Sequence, residues 1–254
     1  MAPAATVLSV ACSLARVATI PQEPALLMVV TWNTDAGSGD LERLVTDLQN
    51  GSLGGAAPVG YVLLLQEAAE HELDAIAVPR GWTTWFVPVR GVEGRVRGNA
   101  IVSSLALRDR RVVPLSRERQ PRAAASAWID LAGQPLFVAS VHLENRVSLW
   151  RGGLLGDSAR GRQVDGLLRA LPADASGILG GDFNTWLGPN EPAWKALGRR
   201  FADTPDMMPM PTFRDRLALD HVVMDLPDGW SAMNRVLPDD YGSDHHPVMA
   251  LVFR

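Results

Sequence analysis

The sequence of 254 residues is poor in several things, and each shortage excludes something. One cysteine, Cys12, leaves no internal disulfide and no cysteine-based zinc site. No apolar run reaches the ~18 residues that a membrane-spanning helix needs. Lysine is nearly absent: Lys195 is the one lysine among 24 cationic residues, and the rest are arginine. Tyrosine occurs only at Tyr61 and Tyr241. A net charge of −4 argues against indiscriminate coating of nucleic acid but leaves a local basic patch open. What is present is apolar: 47% of residues are hydrophobic, enough for a sizeable core and too many for a disordered chain.

The amino end carries a short apolar run, VLSVACSLA, ahead of Pro21 and Pro24. Its first cation, Arg16, follows the run, against the order of a secretory signal. Residues 1–25 are therefore expected to be a disordered or loosely packed leader, with a single catalytic domain over 26–254. No convincing signal peptide assigns a compartment; the cytoplasm is slightly favoured and secretion stays open.

Beyond residue 25, short apolar runs alternate with turn chemistry. LLMVVTW (26–32) and YVLLLQ (61–66) read as buried strands. Leu41, Leu44, Val45 and Leu48 fall at helical spacing, with Ser38 or Asp40 as the cap. Further helices are expected from Glu67 to about Ala77, over 158–171 and over 191–201. WTTWFVPV, NAIVSSL, SAWIDL and PLFVASV read as strands separated by Gly-, Pro- and Arg-rich turns. GILGG, HVVM and HPVMALVF complete the strands. Few helices separate the middle strands, so much of the sheet must be antiparallel. The expected class is α/β, as two packed, mostly antiparallel β-sheets flanked by helices.

The informative residues sit at the ends of the apolar runs. Asn33 and Asp35 follow the first strand, Glu67 the second, His142 follows LFVASV, and Asp182 and Asn184 follow ILGG. Asp220 precedes HVVM, and Asp244 and His245 precede HPVMALVF. In antiparallel pairing one strand's exit lies beside its neighbour's entrance, so all these groups can share one edge. Asn33, Asp35, Glu67, Asp182, Asn184 and Asp244 offer only oxygen, a donor set for a hard cation such as Mg²⁺, with Mn²⁺ possible. His142 and His245 add groups that exchange protons near neutral pH. Oxygen-held metal beside histidine suits phosphate ester cleavage.

The ordered motifs TWNTD, LLQE, GNAIVS, SVHL, GGDFN, LDHVV and SDHHP run from residue 31 to 247. Together they resemble the endonuclease/exonuclease/phosphatase superfamily, with the pancreatic-type deoxyribonuclease fold. That resemblance implies a four-layered α/β sandwich. It implies that Glu67 is the principal metal ligand, with Asn33 and Asp35 beside the same ion and Asp244 assisting the metal or orienting its neighbour. Asp182 and Asn184 would position water and the scissile phosphate. His245, held by Asp220, would contact the phosphate and act as general base or electrostatic stabiliser, with Asp182 the contender for the base. His142 would be the general acid or a donor to a phosphate oxygen. A histidine at 142, where abasic-site enzymes of the superfamily use tyrosine, leans away from that branch.

The substrate is less legible, since fold and metal site do not choose it. Residues 90–122 hold nine arginines against Glu93, Asp109 and Glu118. They form either an anion-binding rim or a solvated face. Arg146, Arg151, Arg160 and Arg162, in the long polar stretch after His142, form a candidate phosphate clamp. Asn99, Arg146 and Trp186 are the candidate substrate contacts. The expected activity is Mg²⁺-dependent hydrolysis of phosphodiester bonds, with a nuclease acting on DNA or RNA favoured. The alternative is a phospholipid or small-molecule phosphoester hydrolase, and only that reading calls for a membrane surface. A catalytically inert binding scaffold is a third reading. No stable protein partner is implied.

Overall fold

The computed structural model describes residues 25–53, 57–92, 95–118, 120–145, 159–205 and 210–254. The leader expected at the amino end and the candidate contact Arg146 therefore fall outside the described residues, Ala25 apart. Two sheets stack face to face. One carries six strands: β1 (Leu27–Asn33), β2 (Gly60–Ala68), β3 (Thr83–Val92), β4 (Arg95–Ser103), β10 (Ser231–Val236) and β11 (Val248–Phe253), in the order β10-β11-β1-β2-β4-β3. The other carries five: β5 (Arg108–Pro114), β6 (Ala123–Leu131), β7 (Gln134–His142), β8 (Gly177–Asp182) and β9 (Asp220–Asp225), in sequence order. Among the described residues only β1–β2 and β7–β8 pair in parallel. Helices α1 (Leu41–Gln49) and α2 (Glu70–Arg80) cover the first sheet, while α3 (Ala159–Ala170) and α4 (Pro192–Arg200) cover the second.

Pleat alternation sorts the apolar residues into three layers. On β1, Leu27 and Val29 face the second sheet, while Met28, Val30 and Trp32 face the helices. Leu64 and Ile101 meet Ala127, Ile129, Val138 and Ile178 between the sheets. Leu41, Leu44, Val45 and Leu48 of α1 close the first outer layer, and Val164, Leu167, Ala193 and Leu197 of α3 and α4 close the other. The α/β sandwich expected from the sequence is the one observed. Two strands lie where the sequence reading placed turns or nothing, β5 and β10. Both are sheet edges: β5 is exposed at six of seven positions and β10 is nowhere fully buried, so neither shows strong apolar alternation.

Two features bring the sheets together at one end. A Cβ on Gly180 would lie 2.8 Å from both Leu64 and Thr31, so only glycine lets β8 come this close to β1 and β2. Behind the same end lies a buried polar tie. The Gln66 amide donates to the Leu64 carbonyl at 2.8 Å and to the Ser140 hydroxyl at 3.0 Å, and Ser140 donates to the Leu65 carbonyl at 2.7 Å.

Candidate active site

Strand register sets out the site. His142, Asp182 and Asp220 are direct neighbours at the ends of β7, β8 and β9, and Asn33 pairs with Gln66 across β1 and β2. The turn ahead of β11 is tied to β1: Ser243 donates to the Asn33 carbonyl at 2.7 Å, and the Trp32 indole donates to the His245 carbonyl at 2.8 Å. These ties bring Asp244 and His245 over the same edge. A β-bulge interrupts β2 between Leu65 and Ala68, and Glu67 within it has φ +55°. Asp35 (φ +47°) and Asn184 (φ +51°) share this left-handed backbone. Three strained non-glycine residues at one sheet edge mark a place where geometry is held against local preference.

The edge encloses a cavity of about 260 Å³. Asn33, Asp35, Glu67, His142, Asp182, Asn184, Trp186, Asp244 and His245 line it, so nine candidate residues come together. Asp220 sits behind the lining, with its Oδ2 accepting from His245 Nδ1 at 2.7 Å and from the Thr212 hydroxyl at 2.7 Å. Asn99 is not in the lining: its buried amide donates to the Ala123 carbonyl at 2.7 Å, tying β4 to the start of β6. The lining also includes Asn145, Phe213 and Leu219, which sequence reasoning did not single out. Phe213 and Thr212 lie in a turn-rich stretch with no period to flag them.

Asp182 is the hub. Its Oδ2 accepts from the Asn33 amide at 3.2 Å and lies 3.4 Å from His142 Nε2 and 3.9 Å from His245 Nε2. Its Oδ1 accepts from the Asn184 N–H at 3.0 Å. Burial first, and then the Asp220 charge, raise its pKa to about 7. Burial opposes protonation of His245, but Asp220, Asp182 and Asp244 outweigh it and raise that pKa to about 10. His142 goes the other way: burial, then the charges of Arg122 and His245, lower it well below the ordinary value. One imidazole is thus cationic and the other neutral across the physiological range.

The donor chemistry fits a hard cation. Four carboxylates, of Asp35, Glu67, Asp182 and Asp244, line the cavity against one cationic imidazole and the Arg214 guanidinium paired with Asp244 at 3.1 Å. The amide of Asn33 adds a further oxygen, which also accepts from the Asp35 N–H at 3.1 Å. Asp182, Asp220 and His245 place one ligand atom each within 4.8 Å of one another. Within that trio Asp220 Oδ2 is already bonded to His245 and Thr212, while its buried Oδ1 has no hydrogen-bond partner.

The arginines divide. Arg160 is buried and pairs with Glu191 at 2.7 and 2.9 Å, and Arg162 pairs with Glu118 at 2.7 Å. Arg160 is therefore not the phosphate clamp that its loop position implied; its charge is spent inside the protein. Within 90–122, Arg97 pairs with Glu72 at 3.6 Å and Arg108 with Asp130 at 2.6 Å. Arg122 is placed to act on His142.

His221 is packed against Phe183 and Trp194, with ring centroids 6.0 and 4.4 Å away. Burial, outweighing the Asp220 charge, lowers its pKa to about 4. A histidine with a depressed folded pKa stabilises above its unfolded value of ~6.5 and loses that contribution as pH falls from ~6.5 to 4. The chelator-treated protein should therefore lose stability on acidification more steeply than its His221→Phe variant, by about 3 kcal/mol over that window. Chemical denaturation at pH 7 and pH 4 checks this, and equal losses would remove His221 as the titrating group.

The profile of the Endonuclease/Exonuclease/phosphatase family matches residues 30–245. A search of curated proteins gives no match. Among solved structures the chain is similar to the human Nocturnin catalytic domain with bound sulfate: 19% identity and TM-score 0.67, covering 90% of this chain and 93% of that one. It is similar to D. rerio TDP2 complexed with single-strand DNA product, at 15% identity and TM-score 0.62, covering 90% and 99%. It is also similar to sphingomyelinase C from Streptomyces griseocarneus, at 19% identity and TM-score 0.58, covering 91% and 100%. Identities this low speak for the fold alone. With the family profile running from the first strand to His245, the chain belongs to the Endonuclease/Exonuclease/phosphatase family of phosphoester hydrolases.

Proposed function

We propose that the protein is a divalent-cation-dependent phosphodiesterase acting on nucleic acid. The observation that carries this is the single cavity in which oxygen donors from four separate segments meet one cationic and one neutral imidazole. Asn33, Asp35, Glu67 and Asp244 would hold the ion, Mg²⁺ or Mn²⁺ by donor type. When bound, the ion neutralises the phosphate and the charge that develops on its oxygens.

The protein's own residues supply the rest. His245, kept protonated by Asp220, offers fixed positive charge to the phosphate. Asp182, which lies 3.4 Å from His142 Nε2 at the centre of the cavity, takes the proton of the attacking water, and Asn33 and Asn184 hold it in position. His142, held neutral, donates an N–H to a phosphate oxygen rather than serving as an acid. The Asn184 amide, tied to the Leu143 carbonyl at 3.2 Å, keeps the exits of β7 and β8 in register beside the reacting group.

The lipid alternative has one observation in its favour, the exposed Trp186 and Leu187 on the turn that enters the cavity. A substrate panel decides. Single- and double-stranded DNA, RNA and sphingomyelin vesicles are each incubated with Mg²⁺, with Mn²⁺ and with chelator. Strand cleavage that depends on either ion and stops with chelator is the expected result. Phosphocholine release with no strand cleavage would overturn the nucleic-acid reading in favour of the lipid one.

A further inference from the structure

Trp186 is kept out of the core by a turn that gives it no freedom to fold inward. Its own N–H donates to the Asn184 carbonyl at 2.9 Å, and the Gly188 N–H donates to the Thr185 carbonyl at 2.8 Å. The Leu187 N–H donates to the Glu191 carboxylate at 2.9 Å, and Glu191 is itself fixed by Arg160. On this pinned turn the tryptophan is 39% exposed and Leu187 is 47% exposed. A fully buried aromatic side chain removes ~150–250 Å² from water, so leaving 39% of Trp186 open forgoes part of that gain. That loss is understandable where the open face is reserved for something else.

Its surroundings say what that is. The indole stands edge-to-face with Phe213, with centroids 6.3 Å apart at 69°. Phe213 in turn lies 4.8 Å from the His245 ring, so an aromatic row leads from the cavity mouth to the phosphate-facing imidazole. At about 260 Å³ the cavity is below the ~300–1,000 Å³ of sites that enclose a drug-sized ligand. Whatever flanks the phosphate must therefore rest at the mouth. The Arg214 guanidinium lies 5.0 Å from the Phe213 centroid and pairs with the lining residue Asp244 at 3.1 Å, and Arg216 beside it is exposed. Two ring faces in a row beside the site suit a flat aromatic base, which gains on stacking.

We propose that Trp186 and Phe213 form a stacking site for an unpaired nucleobase next to the scissile phosphate, so that single-stranded or frayed nucleic acid is the preferred substrate. This rests on the nucleic-acid reading and narrows it. Bases inside a duplex have both faces covered by their neighbours; only an unpaired one can lie flat on an indole.

The test uses the whole chain with Mg²⁺ and single-stranded oligonucleotides carrying one cleavable phosphodiester. That bond is flanked by normal nucleotides or by an abasic analogue on either side, and a duplex of the same sequence is the third substrate. Trp186→Ala should lower kcat/KM on the base-bearing strand by ~10–100-fold, the size of one base–aromatic stack. The loss on one of the abasic partners should be at least tenfold smaller. Trp186→Phe should recover most of the rate, and the wild type should cut the duplex more slowly than the single strand. Equal losses on all strands, or no loss on any, would overturn the stacking site while leaving the nuclease reading in place. A wild type that cuts no oligonucleotide but releases phosphocholine would overturn both.

Discussion

Glu67→Gln lowers turnover by at least ~100-fold on whatever phosphoester the protein hydrolyses. The substitution keeps the shape of the side chain and removes its charge. Glu67 lies in the β2 bulge with φ +55°, its side chain is 39% exposed, and its Oε1 is 3.9 Å from His142 Nδ1. Little packing is lost, so the variant's melting temperature should stay within a few degrees of wild type. The consequence is electrostatic. Four carboxylates line the cavity, and taking one away weakens the attraction for a divalent ion while leaving His245 and Asp182 in place. Activation by Mg²⁺ should therefore move to higher concentration as well as reach a lower maximum. A variant that reaches wild-type turnover at saturating Mg²⁺ would make Glu67 an aid to affinity only. One that matches wild type at every concentration would remove it from the site.

How much of this was legible depends on what each residue leaves in the chain. Buried strands print themselves as apolar runs, and LLMVVTW and YVLLLQ became adjacent parallel strands in the middle of a sheet. Edge strands do not: Arg108–Pro114 reads as polar because one side and one edge of it face water. The residues that line the cavity stand at strand ends, where a polar residue after an apolar run is visible without coordinates. Arg160 shows the limit. Its composition and its place after His142 suit a phosphate contact, and nothing in the sequence announces that Glu191, 31 positions on, is folded against it. Asn99 is similar, since an amide near the edge is as useful for tying two sheets as for meeting a substrate. Burial and partner choice are long-range facts, and local spacing does not contain them. The protonation states are illegible for the same reason. His142 and His245 look equivalent in sequence and are driven in opposite directions: burial and then Arg122 lower the first, while Asp220, Asp182 and Asp244 overcome burial to raise the second.

Removing one partner of the buried Arg160–Glu191 pair should cost about 3–5 kcal/mol of stability. The two side chains are 4% and 2% exposed and meet through two bonds of 2.7 and 2.9 Å. Breaking a buried pair from one side leaves an uncompensated charge and costs ~3–5 kcal/mol. For a domain of this size that is about 10 °C in melting temperature, so Arg160→Ala and Glu191→Ala should each melt that far below wild type. Replacing both, as in Arg160→Met with Glu191→Leu, leaves no orphan charge and should recover most of the loss. Turnover should not recover with it. The Glu191 carboxylate also holds the Leu187 N–H at 2.9 Å, and Arg160 reaches the Glu144 carbonyl at 3.4 Å. The pair thereby joins the segment after Asn184 to the segment after His142, and apolar side chains offer neither bond. Thermal melts of the three variants, read beside kcat on the substrate found by the panel, separate the two roles. A double variant that regains both stability and rate would reduce the pair to packing, and single variants that melt with the wild type would mean the charges reach water after all.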